Sequence, residues 1–217
     1  MNWAWLQANA SQIAQWFGIH AVLAGAPLVI GLAAALPLGW LANRHNFVYP
    51  PMITLTGLLY TIPSLALFVL LPGILGTRIL DPINVVVALS VYTIALLVRV
   101  VADGLASVPP DVEQAARAMG YGEFGLVVRV ELPVAVPVIA AGMRVAAVSN
   151  VSLVSVAAVI GVPELGQLFT TGFQLNFYTP IIAGIVLCVV LALIFDATVV
   201  GIARLLTPWR RATGGAA

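Results

Sequence analysis

Five apolar runs, at about residues 21–42, 52–75, 83–105, 134–160 and 180–206, are each long enough to cross the roughly 30 Å hydrocarbon core of a bilayer. Hydrocarbon offers the backbone no water to bond, so a run of this length satisfies its own amides as an α-helix. Only 8% of the residues are charged and 62% are hydrophobic, whereas about a quarter of a soluble domain is charged. A soluble fold of 217 residues could not bury so much apolar surface. The fold class expected is an all-α integral membrane protein with five transmembrane helices and one polar loop between the third and the fourth.

The arginines orient this bundle. If the polar loop is cytoplasmic, Arg44, Arg99, Arg117, Arg129, Arg144, Arg204, Arg210 and Arg211 fall at the inner side or inner membrane edge, and Arg78 alone falls outside. Basic residues collect on the cytoplasmic side of membrane proteins. The expected topology is therefore N-terminus outside and C-terminus inside. A net charge of +1 provides no basic face for phosphates, so no nucleic-acid partner is expected. The lone cysteine, Cys188, sits in an apolar run and supports no disulfide framework.

The chain divides into an N-terminal segment (1–18), a transmembrane domain (19–206) and a cytoplasmic tail (207–217). Residues 1–18 lack charge but carry Asn2, Gln7, Asn9, Gln12 and Gln15, too polar to span, together with Trp3, Trp5 and Trp16. Two readings fit: a helix lying in the outer interface, where tryptophan is favoured, or a disordered tail. A signal peptide is not expected, since a basic start and a small-residue cleavage site are missing. Residues 161–179 mix Gln167, Thr170, Thr171, Gln174 and Asn176 with Leu168, Phe169, Phe173 and Phe177. They read either as a partly buried, re-entrant segment or as an ordinary surface loop.

The polar loop spans 107–133. Pro109 and Pro110 suit the first turn of a helix, and Asp111 and Glu113 place negative charge where the helix dipole favours it. Val112, Ala115, Ala116 and Met119 recur at helical spacing, forming one small apolar face, and Gly120 fits a left-handed C-terminal cap. A second helical stretch, 123–131, leads into the fourth span. On these grounds the loop is either a docking element for a partner surface or a connector between two spans.

Gln114-Ala115-Ala116-Arg117-Ala118-Met119-Gly120, nine residues, and then Val130-Glu131-Leu132-Pro133 resemble the EAA motif of ABC importer permeases. The resemblance implies that Glu113, Gln114, Ala115, Ala116, Gly120, Leu132 and Pro133 belong to a coupling helix seated in a groove of a cytoplasmic ABC ATPase. Gln114 stands at the usual glutamate position, with Glu113 one residue earlier; neighbouring helical positions point about 100° apart, so Glu113 is no simple replacement. Tyr60-Thr61-Ile62-Pro63-Ser64-Leu65-Ala66-Leu67 is similar to the QTIPSLAL stretch of osmoprotectant importers, with tyrosine in place of glutamine. Ser152-Leu153-Val154-Ser155, Ile160-Gly161 and Leu165-Gly166 also resemble that group, while Pro163 and Glu164 stand where small residues are usual. The resemblance implies a bacterial inner-membrane permease subunit that takes up glycine betaine, carnitine or choline. Its implied partners are two ATPase subunits, a second permease (identical or homologous) and an extracytoplasmic solute-binding protein.

The chain contains no lysine. A Walker A loop uses lysine to reach the phosphates, so ATP hydrolysis must lie on another subunit. No catalytic residue, metal site or cofactor is expected: His20 and His45 flank the first span without an HExxH or an acidic neighbour, and both read as interfacial polar residues. For a quaternary ammonium solute, aromatic faces are the natural partners, and Tyr60, Phe68 and Tyr92 in spans two and three are the candidate path residues. Asp196 in the fifth span reads either as a coupling acid of a secondary transporter or as a buried polar contact with Arg204 or a neighbouring span. Arg99 and Asp103 suit an i,i+4 pair, and Arg144 suits snorkelling towards inner headgroups. A permease for methionine or another small amino acid is the second substrate reading.

Overall fold

The computed structural model describes residues 1–209; Arg210, Arg211 and the rest of the expected tail lie outside the described residues. Ten α-helices are described: α1 (Trp3–Ala8), α2 (Ala10–Arg44), α3 (Tyr49–Thr61), α4 (Ser64–Leu75), α5 (Pro82–Ala106), α6 (Pro110–Ala118), α7 (Glu123–Leu126), α8 (Leu132–Val154), α9 (Gln167–Gln174) and α10 (Tyr178–Leu206). A π-helical turn, Val127–Glu131, joins α7 to α8, and a 3₁₀ turn, Ser155–Ile160, follows α8. Three helices, α2, α5 and α10, and the continuous helical run Glu123–Ile160 that contains α8 are each long and apolar enough to cross a membrane, and a fifth span arises if α3 and α4 count as one.

Helix α5 is the axis of the bundle. Asp81 caps its start, accepting from the Ile83 amide at 3.0 Å, with Pro82 in the first turn. Its buried face, with Val85, Leu89, Leu97, Val98 and Val101, packs against α2 and α8. Glycines permit that approach: a Cβ on Gly39 of α2 would lie 2.6 Å from Val101 Cβ, one on Gly31 would overlap Thr93, and one on Gly142 of α8 would overlap Val100. A polar node fastens the same three helices. Buried Asn150 donates from Nδ2 to Thr93 Oγ1 at 3.1 Å and to the Ala24 carbonyl at 3.3 Å.

The second apolar run is broken. Helices α3 and α4 meet at 100° across Ile62 and Pro63, both extended in the backbone. Proline lacks an amide hydrogen and drives its predecessor out of the helical region, so a straight helix cannot pass through. The Ile62 carbonyl freed by the break accepts from the Tyr92 hydroxyl of α5.

The N-terminal segment and the 161–179 segment are packed together at one end of the bundle. Helix α2 runs continuously from Ala10 through residue 18, and α1 precedes it. The Asn2 amide donates to Thr179 Oγ1 at 3.0 Å, and Trp5 meets Phe177 edge-on at 5.8 Å. Within the 161–179 segment, Val162, Glu164, Leu165 and Leu168 are fully buried, and α9 packs on α10. The partly buried reading holds over the ordinary surface loop.

His20 corrects the interfacial expectation. It is fully buried, with Nδ1 2.7 Å from Glu164 Oε2 and Nε2 3.0 Å from the Val151 carbonyl. The Gly166 amide also donates to Glu164 Oε2, at 2.7 Å. Burying polar side chains costs free energy unless they are hydrogen-bonded, and His20 and the Gly166 amide meet that requirement at Oε2. His45, by contrast, is exposed at the end of α2.

Because Gly39 has no room beside Val101, Gly39→Val is expected to destabilise the folded chain by about 1–3 kcal/mol. Gly18→Ala on the same helix meets open space and is expected to leave the thermal midpoint in detergent unchanged or slightly raised, since alanine is the better helix former.

Candidate functional site

The charged loop is a short helix held at both ends. Pro109 is extended and Pro110 opens α6, whose first turn carries Asp111 and Glu113 and whose last turn carries Arg117. Gly120, at φ +87°, ends it: the Gly120 amide donates to the Arg117 carbonyl at 3.0 Å and the Tyr121 amide to the Ala116 carbonyl at 3.2 Å. A left-handed residue after a helix is the glycine C-cap geometry the sequence suggests.

Glu123, at the start of α7, ties the loop to the bundle. Its carboxylate receives Arg117 Nη1 at 2.6 Å from α6, and Arg44, the last residue of α2, on its other oxygen. One acid thus joins the loop helix, the second loop helix and the end of the first long helix. This junction has no sequence motif, since the residues are 79 and 6 positions apart. Leu126 is fully buried, and the π turn carries Glu131 into the packed base of α8. Burial pushes the Glu131 carboxyl above its ordinary value and Glu113 adds to this, against the pull of Arg44 and Arg117.

The expected apolar face of α6 is divided. Ala116 is buried against the chain's own loop, Val112 is half-buried, and Ala115 and Met119 are exposed, Met119 at 72%. Gln114 and Ala118 are exposed beside them, and Phe124 on α7 is 82% exposed. Glu113, Leu132 and Pro133 are half-buried and face the bundle in part. The loop therefore leaves Gln114, Ala115, Ala118, Met119 and Phe124 exposed and retains Ala116 for its own packing. Large exposed apolar side chains on an otherwise charged element mark an interaction surface.

Of the three aromatic candidates, two come together. Tyr60 and Tyr92 meet edge-on at 5.8 Å, Tyr60 remaining 43% exposed beside a groove of about 330 Å³ that Arg99 also lines. Phe68 is fully buried among Leu71, Val85 and Leu89 and packs the core. Arg99 and Asp103 pair at 3.6 Å, and Asp103 also accepts from the Tyr49 hydroxyl at 2.9 Å. Asp196 does contact a neighbouring span: Arg144 of α8 grips it in a bidentate pair, Nε to Oδ1 at 2.6 Å and Nη2 to Oδ2 at 3.0 Å. Arg144 is thus a partner to a carboxylate within the bundle and not a snorkelling side chain. Their 52-residue separation conceals the pairing in the sequence.

Residues 14–211 match the model of a family described as the binding-protein-dependent transport system inner membrane component. The chain is 34% identical over 203 residues to the osmoprotectant import permease protein OsmW of Salmonella typhimurium, covering 92% of this chain and 94% of that one. It is 31% identical over 191 residues to the carnitine transport permease protein OpuCB of Listeria monocytogenes, covering 87% and 85%. Among solved structures, a chain of the MetNI methionine ABC transporter in an inward-facing crystal form superposes with a TM-score of 0.82 at 21% identity, covering 91% of this chain and 97% of that chain. At that identity the likeness shows the fold.

Because the Glu131 carboxyl binds its proton more tightly folded than unfolded, its ionisation costs stability above the unfolded pKa, and the cost grows as pH rises through the folded value. Glu131→Gln is therefore expected to raise the thermal midpoint at pH 7 and to leave it unchanged near pH 4, as read by melting in detergent at both pH values.

Proposed function

The chain belongs to the family of inner-membrane components of binding-protein-dependent transport systems, and from that premise we propose that it is the permease subunit of an ATP-driven importer of quaternary-amine osmoprotectants such as glycine betaine, carnitine or choline. The observation that carries the substrate class is the 34% identity, over nearly the whole of both chains, to an osmoprotectant import permease. Two Bacillus subtilis relatives, OpuCB and OpuCD, are both named permease proteins of the glycine betaine/carnitine/choline transport system, at 28% and 27% identity. That naming supports a second permease subunit beside this one.

In this reading the loop 107–133 faces the cytoplasm, the N-terminus lies outside and the C-terminus inside, as the arginine placement favours. Two ATPase subunits supply the energy, and the exposed edge of α6 with Phe124 seats in one of them. Force on α6 reaches the bundle by two routes: through Glu123 to Arg44 at the end of α2, and through the π turn into α8. An extracytoplasmic binding protein delivers the solute, which supports weak rather than tight contacts along the path. Tyr60 and Tyr92 offer aromatic faces suited to a cation without hydrogen-bond donors.

A methionine or small amino-acid substrate is the second reading, supported by the likeness of fold to a methionine transporter. An ion-coupled carrier built on Asp196 loses ground because that carboxylate is held by Arg144 on both oxygens. Reconstitution with the ATPase and the binding protein tests the proposal: glycine betaine is expected to stimulate ATP hydrolysis and accumulate inside vesicles. Stimulation by methionine and not by any quaternary amine overturns the substrate reading, and ATP-independent uptake by this chain alone overturns the subunit reading.

Ala115→Trp places bulk on the exposed face of α6 without touching the core. It is expected to reduce solute-stimulated hydrolysis by an order of magnitude or more while leaving the thermal midpoint unchanged, a misfit of a few kcal/mol at a close-packed contact being enough. Unaltered hydrolysis in that variant counts against docking through α6.

A further inference from the structure

Helices α3 and α5 leave between them a groove of about 330 Å³ whose two ends differ in chemistry. On α3, Ile53, Thr56, Gly57 and Tyr60 recur at i, i+3, i+4 and i+7 and share one face, opposite Leu96 and Arg99 of α5. A Cβ on Gly57 would meet nothing within 4 Å, so the middle of the groove is open. One end is aromatic, where the exposed Tyr60 stands edge-on to Tyr92. The other end is cationic, with the exposed side chain of Arg99. Tyr92 and Arg99 lie two turns apart on α5, about 10 Å at 1.5 Å per residue.

Arg99 is loosely held. Its Nε lies 3.6 Å from Asp103 Oδ2, too long for a hydrogen bond, and Asp103 Oδ1 already accepts from the Tyr49 hydroxyl at 2.9 Å. Among the described residues no hydrogen bond engages the Arg99 guanidinium, and no carboxylate lines the groove. Thr56 directs its hydroxyl to the Ile53 carbonyl at 3.1 Å. An exposed ion pair as long as Arg99–Asp103 is weak, so a carboxylate brought by a solute can take the guanidinium over. A solute that is only a cation meets a like charge there instead.

We propose that this groove binds the solute as a zwitterion, with a trimethylammonium group against Tyr60 and a carboxylate to which Arg99 donates. The assignment rests on the importer reading given above and narrows its solutes to carboxylated quaternary amines, glycine betaine and carnitine, in preference to choline. A trimethylammonium has no N–H, so a ring face suits it better than an acceptor. The primary ammonium of an amino acid would find no acid along the groove. At the other end the planar guanidinium matches a carboxylate with two parallel hydrogen bonds.

Occupancy is read on the permease itself, apart from the selectivity of the binding protein. In the assembled transporter carrying Cys188→Ser, Gly57→Cys places a thiol in the open middle of the groove, and its alkylation by a maleimide is timed with and without solute. Glycine betaine is expected to slow alkylation at concentrations where choline has little effect. Arg99→Gln is expected to raise the glycine betaine concentration needed for protection about tenfold, one charge-assisted contact being lost, and so to abolish the preference over choline. Arg99→Lys, which keeps the charge without the planar fork, is expected to recover part of it. Tyr60→Leu is expected to weaken protection by both solutes, and thermal midpoints in detergent check that each variant folds. Equal protection by the two solutes before Arg99 is changed, or protection by glycine betaine that Arg99→Gln leaves intact, overturns the carboxylate contact. No protection by either solute, in a preparation whose ATP hydrolysis responds to glycine betaine, overturns the groove as the site and leaves the importer reading standing. If no quaternary amine stimulates hydrolysis in the unsubstituted transporter, that reading falls and the site falls with it.

Discussion

The close seating of α5 between α2 and α8 is the contact on which the remaining architecture depends. It is made possible by missing side chains, at Gly31, Gly39 and Gly142, and is held in register by Asn150, which reaches both α5 and α2. Close helix approach in a membrane relies on such small residues because lipid provides no hydrophobic drive between apolar surfaces. With the central three helices fixed, the broken α3–α4 pair, the α9 segment and α10 arrange themselves around them.

The charged groups then sort by surroundings. Glu123 with its two arginines lies at the water-exposed end, where such pairs are individually weak, on the order of 1 kcal/mol or less, yet several sharing one acid still define an orientation. Asn150 and His20 are enclosed, and each polar atom there needs a partner. Arg144 and Asp196 occupy an intermediate state, partnered with each other and open on one side. The same division separates roles within the chain: the enclosed groups hold the fold, while the loop and the half-open pair remain accessible at its surface.

Much of this was legible in the residues. Apolar run length located the long helices, and Pro109, Pro110 and Gly120 bracketed α6 because each acts on its own backbone. The division of the α6 face was not legible: Val112, Ala115, Ala116 and Met119 share a helical stripe, but which edge meets Leu126 and the π turn depends on how α7 folds back. Pro63 signalled a break, although apolarity alone read straight through it. His20 looked interfacial because its acidic partner lies 144 residues away, in a segment whose burial no local pattern announced. The reach of local signals is short, and the pairs that the sequence left hidden are those between residues far apart in the chain.

The His20–Glu164 contact has a consequence for descent as well as for structure. Removing either partner leaves the other's polar atoms enclosed among apolar side chains without that hydrogen bond, a cost of about 1–3 kcal/mol, whereas replacing both together with well-packed apolar groups can be nearly neutral. A lineage therefore crosses between the two arrangements through a poorly stable intermediate or by a double change. Two positions 144 residues apart are in this sense a single inherited unit.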